Sequence, residues 1–481
     1  MTAGERLGFH SLTRERATDL PVEGSLPAWL TGVLVRNGPG SFTAGGTDID
    51  HWFDGLAMLH RFGFDGEGVT YRNRFLRTDT FERVWDGEPL TGFATGGASA
   101  LDLLRALFAP AYDNTNIVAE RFGDRYLALT ETPRRVEFDP GTLDTLGHVQ
   151  YDGPEPSGHL SCAHLVRDPW TDRLVTFEVE FGRRCAYHVH ETVDATSREH
   201  VATVPVEEPA YMHSFALTPN YVVLTEFPFV VDPMDMLRSD GGFVDAFRWE
   251  PDRGTRFLVV DRRTGGLVAE PRMEAFFGFH HVNAYERNAR PAGEGRPRPG
   301  DDLVVDLETV PDAASLAALS LSRLRADDLG VFGGSLDRFT VSLRADGASV
   351  DRERLHDGTA LPTASPAVRC RPHRYVYAQG TDQPVTEWPG RLVKVDTETR
   401  EATAFAAEGE RHYSEPIFVP APASDREAED DGVVLTVELD VGAGHSWLVV
   451  LDGRTFEERA RAAVPHAIPF DFHGRYFPEL D

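Results

Sequence analysis

Apolar and polar positions alternate with period two over short stretches that stop at Gly, Pro or Asp, the pattern of half-buried β-strands closed by tight turns. Residues 28–42 read as a strand ending in the turn Gly38-Pro39-Gly40. Alternating segments at 56–64 and 69–76 flank Phe64-Asp65-Gly66-Glu67-Gly68, a hairpin turn. The device returns at Asp139, Asp194, Asp261, Asp346, Asp396 and Asp452, so seven Asp-centred turns follow one another at intervals of 50 to 85 residues. Repeated strand–turn–strand units predict an all-β fold, and seven of them predict a seven-bladed β-propeller with loops inserted between blades. A pair of β-sandwiches is the alternative, since it too would show Asp/Gly hairpins.

Helical periodicity is sparse. Ser99 to Ala111 places Leu101, Leu104 and Phe108 on one face, and Asp312 to Leu329 has Ala/Leu spacing with Arg323 and Arg325 opposite. Both are predicted as helices inserted outside the blades. Residues 287–301, rich in Pro, Gly and Arg, read as an exposed loop, and Asp425 to Asp431 as a solvated acidic loop tip.

Charge narrows the function. The 481 residues carry a net charge of −29, and Lys394 is the sole lysine. Such a surface lacks the basic footprint that nucleic acid binding needs. It would also be repelled by anionic lipid at low salt and relieved of that repulsion at high salt, which suits a halophilic host. Cys162, Cys185 and Cys370 form no C-x-x-C pair, which excludes a thiolate zinc site of the usual spacing and fits a reducing compartment. Met1 to Arg16 has no apolar core of a signal peptide, and no run of about 18 apolar residues occurs, so a cytoplasmic location is expected.

The chemistry gathers around histidines. Phe277-Gly278-Phe279-His280-His281-Val282-Asn283-Ala284-Tyr285-Glu286 sets a His pair after an aromatic run. Three more histidines have similar settings: His164 after Cys162-Ala163, His213 within Tyr211-Met212-His213-Ser214-Phe215, and His473 within Phe470-Asp471-Phe472-His473-Gly474. No helix joins residues so far apart, but four inner strands of a ring of blades would each send one imidazole to a common axis. Four neutral imidazoles would close a tetrahedral zinc site, yet leave two positions open on an octahedral metal, as an O2-activating ferrous centre requires. Carboxylates should then hold the far ring nitrogens, and Glu131 and Glu415 are the candidates. The other fourteen histidines, His188 and His190 among them, read as strand or surface residues, and Trp52, Phe53 and Asp54 as a packing and turn cluster.

Taken together, Asn37-Gly38-Pro39-Gly40, His51-Trp52-Phe53-Asp54-Gly55, Ala163-His164, His213-Ser214-Phe215, the 279–286 stretch, Ser414-Glu415-Pro416-Ile417-Phe418-Val419-Pro420, Glu429-Asp430-Asp431-Gly432-Val433-Val434-Leu435 and Phe472-His473-Gly474 resemble the carotenoid cleavage oxygenase family, in family order across nearly the whole chain. The resemblance implies one domain, a seven-bladed propeller under a helical and loop dome, with Fe(2+) held by His164, His213, His280 and His473. In the family's Phe-His-x-x-Asn pattern the first histidine is the ligand, hence His280 rather than His281. One position departs: a third carboxylate is expected just before Leu361-Pro362, where Ala360 stands, so that one ligand histidine lacks its carboxylate unless a water, a carbonyl, or Glu353 or Asp357 from a shifted loop takes its place.

The implied reaction is dioxygenase cleavage of a conjugated C=C bond in a carotenoid or apocarotenoid, with O2 supplying both carbonyl oxygens, and β-carotene to retinal as the preferred case. The partners are an apolar polyene and O2; the 99–111 helix either caps the propeller or touches a membrane surface to collect the polyene, and no protein partner is indicated. Two alternatives follow. One is cleavage of a phenolic stilbene, where family members grip the phenol with Tyr and Lys and this chain offers only Lys394. The other is a carotenoid- or retinoid-binding propeller without catalysis.

Overall fold

The computed structural model describes residues 7–480 except 45, 89, 91, 93–111, 154–157, 237–242, 290–295, 297–298, 326–332, 345–346, 384, 386–387 and 423–427. The expected helix at 99–111 and the turn at Asp346 lie outside the described residues. The fold is all-β, as the alternating pattern predicts: about 50% of the described residues are strand and 9% helix.

Six sheets of four to seven antiparallel strands follow one another along the chain. The Asp turns occupy one place in this plan. In each of the six that are described, the aspartate Oδ1 accepts the backbone N–H groups two and three residues ahead. Asp139 takes Gly141 and Thr142 at 2.9 and 2.7 Å, and Asp452 takes Arg454 and Thr455 at 2.9 Å each. Asp65, Asp194, Asp261 and Asp396 do the same. A short side chain that satisfies two turn N–H groups lets the chain reverse without stranding donors. Each turn joins the last two strands of a meander, as Asp139 joins Arg135–Phe138 to Thr145–Val149. The seven-stranded sheet holds two such meanders, sharing Gly347–Thr363, whose register against Tyr375–Gly380 breaks between Ala360 and Thr363.

Both chain ends are sewn into sheets begun elsewhere. Thr31–Ser41 pairs with His473–Phe477, placing Asn37 opposite His473, and Val22–Gly24 pairs with Glu458–Ala463. The apolar faces pack between sheets, as where Phe257, Phe276 and Phe339 meet.

The continuous helix expected at 312–329 is two short ones, Ala314–Ala318 and Leu321–Leu324, and residues 326–332 are not described. The break has a local cause. Trp52 N donates to Leu319 O at 3.2 Å and Leu321 N to Asp50 O at 2.8 Å, so backbone groups that would continue the helix bond to the 50–52 segment instead. Among the described residues no helix is long and apolar enough to cross a membrane.

Candidate metal centre

Four edge strands carry the site. His164 follows Leu160–Ser161, His213 precedes Ala216–Leu217, His280 precedes His281–Arg287, and His473 opens His473–Phe477; each of these strands is the first of its sheet's path or ends it. Their rings converge. One nitrogen from each of His164, His213, His280 and His473 lies within 4.8 Å of the other three. The Nε2 atoms of His164 and His213 are 2.9 Å apart, and the ring centroids of His164 and His473 are 4.3 Å apart.

The far nitrogens are held by carboxylates. His213 Nδ1 is 2.6 Å from Glu131 Oε1, and the Tyr211 hydroxyl donates to the same carboxylate at 3.0 Å. His473 Nδ1 is 2.9 Å from Glu415 Oε1, whose Oε2 accepts the Gly474 N–H at 2.8 Å. An Nδ1–H donated to a carboxylate leaves the Nε2 lone pair pointing at the other rings, the tautomer a ligand needs. Both predicted carboxylates are therefore in place.

The third carboxylate comes from neither position 360 nor a nearby substitute. His280 Nδ1 lies 2.8 Å from Glu308 Oε2. Neither suggested substitute reaches in: Glu353 pairs with Arg400 at 2.6 Å, and Asp357 bonds Ser335 at 3.0 Å and pairs with Arg354 near the surface. Glu308 stands in the strand Asp302–Thr309, seven of whose eight residues are buried, and that burial, like the reach of its carboxylate, is seen only in the fold. Among the described residues no carboxylate contacts His164.

Burial holds His164 and His280 well below the ordinary imidazole range, and the neighbouring rings push the same way. Burial also lowers His473, against the opposing pull of Glu415. Rings kept neutral are rings ready to ligate. Burial raises the Glu308 carboxyl to about 8, with the Leu361 backbone acting against it. Burial would raise Glu415 too, but His473, Arg36 and Arg475 outweigh it and its pKa is lowered.

The residues fit a metal on an observation independent of any likeness: the buried Nε2 of His280 has no hydrogen-bond partner. A lone pair stranded among three other imidazoles costs free energy unless a cation takes it up.

The family model for retinal pigment epithelial membrane protein, RPE65, matches residues 9–478. The chain belongs to this family of carotenoid oxygenases. It is 33% identical to the carotenoid isomerooxygenase of Galleria mellonella, over 95% of this chain and 93% of that protein. It is 30% identical to the β,β-carotene 15,15′-dioxygenase of Gallus gallus, over 96% and 95%. Among solved structures, a variant of the Synechocystis apocarotenoid oxygenase superposes with a TM-score of 0.85 at 26% identity, covering 99% of both chains.

Within the RPE65 family frame, the choice between the paired histidines is settled by direction. His281 points away from the cluster, its Nδ1 2.7 Å from Ser214 Oγ and its Nε2 2.9 Å from Thr225 Oγ1. The cluster at 52–54 is the packing and turn cluster expected, and it packs beside the site. The Phe53 ring meets Phe279 and Phe472, the residues just before His280 and His473, with centroids 6.4 and 5.6 Å apart. His188 is a strand residue as expected, bonded to Glu180 and Thr203 at 2.9 and 3.0 Å.

Proposed function

We propose that this chain is an Fe(II)-dependent dioxygenase that cleaves a conjugated C=C bond of a carotenoid or apocarotenoid to two carbonyl products, inside a ring of seven β-meanders. The convergence of four imidazole nitrogens backed by three carboxylates carries this reading. The six described Asp turns support the ring, because each marks one meander, and the seven-stranded sheet holds two meanders. The curated relatives support the reaction class.

His164, His213, His280 and His473 would hold the iron. Bound there, ferrous iron supplies the oxygen chemistry that amino-acid side chains lack. The protein contributes orientation and dryness. Glu131, Glu308 and Glu415 keep three rings in the ligating tautomer. Phe53, Phe279 and Phe472 form an aromatic wall beside the rings, suited to stack on a flat polyene and exclude water. β-Carotene to retinal is the preferred case, in the cytoplasm, with the polyene collected from a membrane surface.

Stilbene cleavage is disfavoured by Lys394, which is buried in a structural cage rather than free to grip a phenol: its Nζ bonds Asp430 at 2.7 Å and the carbonyls of Gly453 and Arg454 at 2.8 and 3.1 Å. The binding-only reading rested on a missing carboxylate, and Glu308 removes that ground.

The experiment is aerobic incubation of Fe(II)-loaded protein with β-carotene, and separately with an apocarotenal, in detergent. Loss of polyene absorbance should accompany two carbonyl products, each labelled when the gas is ¹⁸O2. Binding without bleaching of either polyene would refute the reading.

A further inference from the structure

Glu308 and His280 sit on neighbouring antiparallel segments, and Glu308 N donates to His280 O at 3.0 Å. That backbone contact sets the carboxylate beside the ring, Oε2 to Nδ1 at 2.8 Å. The carboxylate has a second neighbour, the backbone N–H of Leu361, which hydrogen-bonds to it from the strand Gly347–Thr363. Leu361 has φ +46°, in the left-handed region, and lies inside the register break between Ala360 and Thr363. A non-glycine residue held there costs about 1 kcal/mol or more and persists where surrounding contacts impose it. Ala360, 2% exposed, immediately precedes that N–H. The carboxylate of Glu308 thus meets the peptide N–H that follows position 360, where the small side chain of Ala360 is buried.

We propose that Glu308 is the positioning residue for His280, and that it fills from one strand a charge site that position 360 on another strand could equally supply. The two positions are then interchangeable: a carboxylate at either one accepts the His280 Nδ1–H, and the small residue at the other makes room. The inference rests on the metal-centre reading above and deepens it. It also explains why the sequence, read from position 360, lacks a carboxylate that the folded site possesses.

The test uses wild type, Glu308→Ala, Glu308→Gln and the double variant Glu308→Ala/Ala360→Glu, each stripped of metal. Each is titrated anaerobically with Fe(II), and with Co(II), whose visible absorption reports its ligands. Melting of the metal-free proteins checks folding, and the isosteric Gln variant stands in if the Ala variant does not fold. Glu308→Ala should weaken metal affinity about 10- to 100-fold, and Glu308→Gln by less, because a neutral amide still accepts the ring N–H. The double variant should regain most of the lost affinity and the wild-type Co(II) spectrum. Wild-type affinity in both single variants would overturn the positioning role, and a double variant as weak as Glu308→Ala would overturn the interchange. Failure of the wild type to take up either metal is distinguishable from both, and would bring down the metal centre itself.

Discussion

Arg36 and Asp471 form a two-pronged ion pair sealed from solvent, with Nη2 2.7 Å from Oδ1 and Nε against Oδ2, and side-chain exposures of 0% and 1%. The pair ties three parts of the site together. Arg36 also donates to the Glu415 carbonyl at 3.0 Å, Ser414 Oγ donates to Asp471 at 2.8 Å, and Asp471 lies two residues before His473. Removing one partner leaves the other buried and uncompensated. Asp471→Ala is expected to destabilise the protein by about 3–5 kcal/mol and to lower iron retention. The double variant Arg36→Met/Asp471→Leu should recover much of the stability. Urea unfolding of the metal-free forms, with iron content measured alongside, checks both statements.

The adjacent histidines should separate cleanly. His280→Ala removes a ring of the cluster and should abolish stoichiometric iron binding. His281→Ala should leave iron binding largely intact, at a stability cost of about 1–3 kcal/mol for the Thr225 hydroxyl left unpaired, since Ser214 Oγ keeps its bonds to the Phe279 carbonyl and to the backbone N–H of residue 281. Metal analysis after dialysis decides it; iron lost only from the His281 variant would mean the two rings had been exchanged.

Lys394 predicts a purely structural effect. Beside its hydrogen bonds, its ammonium lies 4.2 Å from the Tyr375 ring centroid. Lys394→Met should lower the melting temperature by several degrees, equivalent to about 2 kcal/mol for a half-buried Asp430 and two buried carbonyls left without their cation, without changing KM for a polyene. A changed KM with unchanged stability would place Lys394 in the substrate path.

Stability should fall on mild acidification. His190 is fully buried, neither ring nitrogen has a hydrogen-bond partner, and burial, then Arg198 and the neighbouring His200 and His188, lower its pKa to about 3 from the ordinary 6.5. Below pH 6.5 the unfolded chain takes up a proton there that the folded chain refuses until about pH 3. Stability is therefore lost as pH falls through that window and is flat above it, by on the order of 1 kcal/mol per pH unit for this ring. Urea midpoints at pH 7.5, 6 and 5 measure the slope. His190→Leu should flatten it and raise stability at pH 5 more than at pH 7.5.

The sequence alone determined the strand content, six turns that the structure describes, the four converging histidines and two of their carboxylates. The strands and turns are legible because they are local: a period-two pattern and an aspartate two residues before a free N–H do not depend on distant parts of the chain, whereas the histidines were marked by their motifs and their convergence by the fold. The helix expected at 312–329 was not legible, since its break is made by backbone bonds to Asp50 and Trp52, more than 260 residues away in sequence. Glu308 was not legible for the same reason. An aligned position reports which residue occupies one strand, but a carboxylate acts at the point in space its oxygens reach. Only folding showed that Asp302–Thr309 and Gly347–Thr363 bring their side chains and backbone to the same point. Register, which sets such meetings, is fixed by the pairing of whole strands.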